Sequence, residues 1–183
     1  MIEPESPVQE SPVQDYPVEA LKLLLDASCL MDRYAPLIPY RDELISGLLR
    51  LGCKRKSDAE RLPDDALMQL GLSCPELIRL FRRFLTIYDA KPQKWKEIPA
   101  VTSDPEMQAA FSELYYLPGV KRVRAELYYR SGYRSLAALA AAAPEDVIAR
   151  TARTIADEQL ACIAPLPKEV RTHIAVARAF TGL

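Results

Sequence analysis

Histidine is almost missing from this chain of 183 residues, where His173 stands alone. A Ser-His or Cys-His nucleophilic site would therefore have to use that one imidazole as its base. No acid lies next to it in the sequence, and a structural or surface role is expected. Glycine is nearly as scarce, at 6 residues, so there is no G-x-x-x-x-G-K phosphate loop and no dinucleotide fingerprint, and no HExxH occurs either. The four cysteines, Cys29, Cys53, Cys74 and Cys162, form no C-x-x-C pair and follow no signal peptide. That argues for reduced thiols in a cytoplasmic setting rather than disulfides or a zinc site. No run approaches the roughly 18 apolar residues of a membrane span. The formal net charge of −1 removes any global attraction to nucleic acid or an anionic membrane. The chain reads as a non-enzyme with no expected metal, cofactor, membrane or small-molecule substrate.

What remains is a helix-forming composition. Hydrophobic residues make up 49% of the chain and charged residues 27%, and β-branched runs are almost absent, so an all-α fold is expected. Residues 1–17 read as a flexible acidic Pro-rich tail in which ESPVQ occurs twice, open to use as a docking peptide. Residues 18–90 read as an N-terminal helical lobe. Residues 91–103 carry prolines, lysines and Trp95, the only tryptophan, and are the expected linker. Residues 104–183 form the second lobe.

Within the first lobe, Leu21, Leu24, Leu25 and Ser28 share a helical face up to about Met31. A second helix is expected over 40–51, stopped by Gly52. Ser57 with Glu60 and Ser73 with Glu76 fit capping boxes, and Pro63 opens a short helix ending at Gly71, with Asp64 and Asp65 in its first turn. Leu77, Leu80, Phe81, Phe84 and Tyr88 recur at helical spacing, opposite Arg79, Arg82 and Arg83. In the second lobe Asp104-Pro105-Glu106 starts a helix that should reach Tyr116 or Leu117. Further helices are expected from Lys121 to Gly132, over 135–142, from Pro144, and from Pro167 to near Gly182.

The informative stretch is Leu117-Pro118-Gly119-Val120-Lys121-Arg122-Val123-Arg124-Ala125, followed by Gly132-Tyr133-Arg134-Ser135-Leu136 and Leu139. Gly119 permits a backbone that a side chain forbids, Val120 can plug the space between two helices, and Ala125 lets them approach. This pattern resembles an atypical bacterial helix-hairpin-helix, with a G-h-G turn between helices, h being apolar. The resemblance implies a helix-hairpin-helix-like, SAM-like bundle. It also implies hairpin amides that meet a phosphate at the positive end of a helix dipole. Where the pattern has its second glycine, this chain has Lys121.

The expected function is weak, sequence-independent binding to the phosphate backbone of DNA or RNA through Gly119, Val120, Lys121, Arg122 and Arg124. The alternative is a helical module that contacts a protein partner and no nucleic acid. Residues 104–183 hold ten Lys and Arg against nine Asp and Glu, so the cluster is equally readable as a solvated helix start. Tyr115, Tyr116, Tyr128, Tyr129 and Tyr133 crowd the hairpin and either pack its helices or stack on bases. Arg50-Leu51-Gly52-Cys53-Lys54 echoes Arg130-Ser131-Gly132-Tyr133-Arg134, so the first lobe is either a diverged copy of the second or similar by chance.

Overall fold

The computed structural model describes residues 15–28, 33–87 and 103–182. Residues 91–102 of the expected linker, with Trp95, and residues 1–14 of the expected tail lie outside them. The described residues form ten α-helices and one 3-10 helix, with no strand. The fold is all-α. In the first lobe the order is α1 (Ala20–Ser28), a 3-10 helix (Ala35–Tyr40), α2 (Arg41–Arg50), α3 (Lys56–Arg61), α4 (Asp64–Gln69) and α5 (Pro75–Ile87). In the second it is α6 (Pro105–Leu114), α7 (Arg122–Arg130), α8 (Leu136–Ala140), α9 (Pro144–Asp157) and α10 (Pro167–Thr181).

The last helix is the axis of the packing. Val170, His173, Ile174, Val176, Ala177, Ala179 and Phe180 of α10 are all buried, so more than half of its circumference faces the core, and Lys168 and Arg171 lie on the exposed remainder. α1, α8 and α9 pack against it. Leu21, Leu24 and Leu25 of α1 are fully buried, and the rings of Tyr16 and Phe180 meet at 5.7 Å. The N-terminal helix is thus seated on the C-terminal one, and buried residues of both lobes belong to one hydrophobic cluster. Arg178 Nε donates to the Ala140 carbonyl at 2.9 Å, taking up an otherwise unpaired acceptor at the end of α8.

The tail does not extend to residue 17. Tyr16 is 2% exposed, its carbonyl accepts from the Lys56 amide at 2.9 Å, and Pro17 bridges Arg55. The Asp15 carboxylate accepts from the Ser57 amide at 2.9 Å and the Ser57 hydroxyl at 2.7 Å. A sparse, Pro-rich composition hid an aromatic anchor at its last few residues. Deleting residues 1–17 should therefore lower the melting temperature by more than roughly 5 °C, because losing a buried ring costs about 3–5 kcal/mol. An unchanged melting curve would show that Tyr16 is not part of the core.

Three local expectations change. α3 begins at Lys56, so Ser57 lies inside the first turn, and it is Asp58 that accepts from the amides of Lys54 (2.9 Å) and Arg55 (3.0 Å). Glu76 lies one residue into α5, and its carboxylate takes its own amide, which holds it below the usual carboxylate range. α6 ends at Leu114, and Tyr115 to Val120 turn.

The two lobes repeat one backbone pattern at a constant step in sequence. The Cys53 amide donates to Leu48 and the Tyr133 amide to Tyr128. Leu62 donates to Ala59 as Ala142 does to Leu139, and Leu37 to Tyr34 as Leu117 to Leu114. Gly52 and Gly132 both take a positive φ, of 81° and 89°, where each chain turns out of its helix. The same step relates the buried pairs Leu48 and Tyr128, Ala59 and Leu139, and Leu67 and Val147.

Candidate functional site

The hairpin is built from α6, a turn and α7. The Asp104 side chain accepts from the Glu106 amide at 2.9 Å, fixing the start of α6. Phe111 of α6 meets Tyr129 of α7 edge-on at 6.3 Å, and Ala125, fully buried, permits that approach. Between the helices Leu117 and Val120 point inward at 2% and 6% exposure, and the Val120 amide donates to the Leu117 carbonyl at 3.1 Å. Gly119 has φ +75° with open space where a Cβ would sit, so it is the backbone angle and not crowding that calls for glycine. Lys121 is extended and stands at the N-cap of α7 without a side-chain cap, so the first amides of α7 have no side-chain acceptor.

The five candidate residues separate into two groups. Gly119, Lys121 and Arg122 are exposed, and neither cation has an ion pair or side-chain hydrogen bond among the described residues. Val120 lies beneath them. Arg124 turns the other way: its guanidinium grips Glu169 of α10 at 2.8 and 3.2 Å and donates to the Ile163 carbonyl at 3.0 Å. Its side chain is 16% exposed, so it fastens α7 to α10. Other arginines near the hairpin are also engaged. Arg130 binds Glu126 and Glu158, while Arg134 binds Glu106 and covers the Tyr129 ring at 4.9 Å. In the first lobe Arg82 holds Asp64 at 2.6 Å and the Leu62 carbonyl at 2.7 Å, and Arg79 holds Glu76.

His173 completes the site: of the structural or surface role expected of it, it takes the structural one, at 2% exposure. Its Nε2 lies 3.0 Å from the Pro118 carbonyl and its Nδ1 lies 2.7 Å from the Tyr128 hydroxyl. A carbonyl only accepts, so Nε2 carries the proton, and in the neutral ring Nδ1 accepts from Tyr128. Burial pushes the imidazole below its ordinary pKa of 6.5 and pushes the Tyr128 hydroxyl well above its own. The hairpin carbonyl is thereby bound to α10 through a neutral imidazole. Tyr128 and Tyr133 are buried, their rings perpendicular at 6.4 Å, and their role is packing.

The chain matches no protein-family model, no curated protein and no solved structure. Among the described residues no group of three or more His, Cys, Asp or Glu is arranged to hold a metal ion, and no helix is long and apolar enough to cross a membrane.

The chain offers its own comparison. By the step that relates the lobes, Gly119 corresponds to Pro39 and Lys121 to Arg41. Proline brings no amide, and Arg41 is bound to Asp26 and, at 2.8 Å, to Asp42. Those bonds raise the guanidinium's pKa and hold Asp42 down to about 2. At the position that corresponds to Arg41, the second lobe has Lys121, which with Arg122 holds no ion pair among the described residues.

Proposed function

We propose that the protein is a non-enzymatic helix-hairpin-helix protein of two diverged copies. In this reading its second copy binds nucleic-acid backbone weakly and without sequence preference. One observation carries the reading: Gly119 presents an uncapped start of α7 to solvent, with Lys121 and Arg122 beside it, neither of which holds an ion pair among the described residues. Backbone donors at a helix start favour a phosphate, and two exposed cations add charge without reading bases. Val120 and Arg124 serve this site by holding it in place, since one is core and the other is committed to Glu169.

A titration against single-stranded and duplex DNA and RNA at two salt concentrations tests it. Binding should weaken as salt rises. Lys121→Gly separates charge from backbone: tighter binding would mean that the side chain obstructs the amides, and weaker binding that the ammonium is the ligand. The pairing of Arg124, Arg130 and Arg134 with acids leaves a small basic area and favours a second reading, in which the hairpin contacts a protein. A protein that binds none of the four nucleic acids at about 50 mM salt would leave that reading standing.

A further inference from the structure

The lobes differ in what covers the ends of the corresponding helices α2 and α7. In the second lobe Ser131 is 7% exposed and bonds Thr154 of α9 at 3.0 Å, and Arg130 is held by Glu126 and by Glu158, just past α9. Arg134 covers the Tyr129 ring and binds Glu106. By the step that relates the lobes, Leu49, Arg50, Leu51 and Lys54 take the places of Tyr129, Arg130, Ser131 and Arg134. Their surroundings are different. α4 stops at Gln69 whereas its counterpart α9 runs to Asp157, so the stretch that covers α7 has no counterpart over α2. Ser46 replaces Glu126, and Asp26, in the place of Glu106, is bound by Arg41. Leu49 and Leu51 are accordingly 40% and 51% exposed, and Arg50 and Lys54 are exposed with no ion pair among the described residues. No acid lies between Glu43 and Asp58, and Asp58 is taken by the Lys54 and Arg55 amides.

The chain enters the first lobe beside this surface. Arg55 Nη1 donates to the Asp15 carbonyl at 3.0 Å and the Val18 amide donates to the Lys54 carbonyl at 3.1 Å, so residue 14 joins the described chain at Arg55. Residues 1–14 hold Glu3, Glu5 and Glu10 and no Lys or Arg, and in each ESPVQ repeat a glutamate precedes a valine by three positions. On a polyproline II backbone, which proline favours, positions three apart share a face, so each repeat offers a carboxylate and an apolar group together. We propose that residues 1–14 are the ligand of this surface, with Glu5 and Glu10 meeting Arg50 and Lys54, and Val8 and Val13 meeting Leu49 and Leu51. Five residues separate Glu10 from Asp15, a reach of up to about 17 Å back towards Lys54 and Arg50. Exposed ion pairs are individually weak, but so short a tether supplies an effective concentration on the order of millimolar, enough for contacts that would not hold a separate chain. This contact is independent of the hairpin reading.

Zero-length carbodiimide coupling of the full chain, which joins a carboxylate to an amine only where they touch, tests this with peptide mass spectrometry. Lys54 should couple to Glu5 or Glu10 at a yield that does not fall on dilution. The product should be lost in R50Q/L51A, and lost at about 1 M salt, where charges are screened beyond about 3 Å. In nuclear magnetic resonance spectra, E5Q/E10Q should shift the amides of 49–55 and leave those of α10 in place, which also reports that each variant is folded. No coupling at Lys54, coupling that survives R50Q/L51A, or an E5Q/E10Q spectrum identical to the wild type would overturn the proposal. So would a yield that falls on dilution, which would put a second copy on the surface. Duplex DNA that shifts the amides of 49–55 equally in wild type and E5Q/E10Q would likewise overturn it, by showing a surface that the tail leaves open to phosphate.

Discussion

Phe180→Ala should lower the stability of the chain by about 3–5 kcal/mol, the ordinary cost of emptying a buried ring site. Phe180 sits where the lobes meet: its ring contacts Tyr16 at 5.7 Å and Tyr116 at 6.3 Å, and Tyr116 leads into the hairpin. With α1 packed on α10, loss of this ring should loosen both lobes at once. Unfolding in urea, followed by far-ultraviolet circular dichroism and by tyrosine fluorescence, should shift to lower denaturant in one coincident transition. Two separated transitions, with only one displaced, would show lobes that fold independently.

His173→Leu should cost about 2–5 kcal/mol at neutral pH, because the Tyr128 hydroxyl and the Pro118 carbonyl would each be left buried without a partner. It should also change the dependence on pH. Burial lowers the folded pKa of His173 below its unfolded value of 6.5, so between the two values the unfolded chain holds the extra proton. Stability is complete above about pH 6.5, falls as the pH drops below it, and levels off once the folded imidazole is also protonated. Near the ring, Glu169 opposes this shift and Arg124 reinforces it. The wild type should therefore lose stability between pH 7.5 and 5.5, and His173→Leu should lose less over that interval. Equal losses in both proteins would mean that His173 is not buried neutral.

The helices were legible because their signals are local. Asp104 before Pro105, Pro144, Pro167 and the glycines at 52 and 132 fall where helices start or stop, and the spacing of Phe81 and Phe84 marks a buried face. The turn between α6 and α7 was legible for the same reason: Gly119 takes a positive φ there, and Val120 and Ala125 are buried. What sequence could not show were pairings across long separations. Arg124 looked like a third phosphate ligand until Glu169, 45 residues later, was found holding it. His173 had no acid beside it in sequence, and its partners lie 45 and 55 residues away. Tyr16 stood among prolines, and nothing local announced that its ring would meet Phe180. The echo between 50–54 and 130–134 was visible as letters, but its register needed the backbone hydrogen bonds that recur in both lobes.

The exposed cations above Gly119 are the centre of this account, and the most direct measurement is the affinity for duplex DNA of the wild type and K121Q/R122Q, each at several salt concentrations. The predicted result is wild-type binding that weakens steeply with salt, and a variant with unchanged stability, lower affinity on every sequence, and a salt slope shallower by about two. No wild-type binding at about 50 mM salt, or a variant that binds with the wild-type slope, would contradict it.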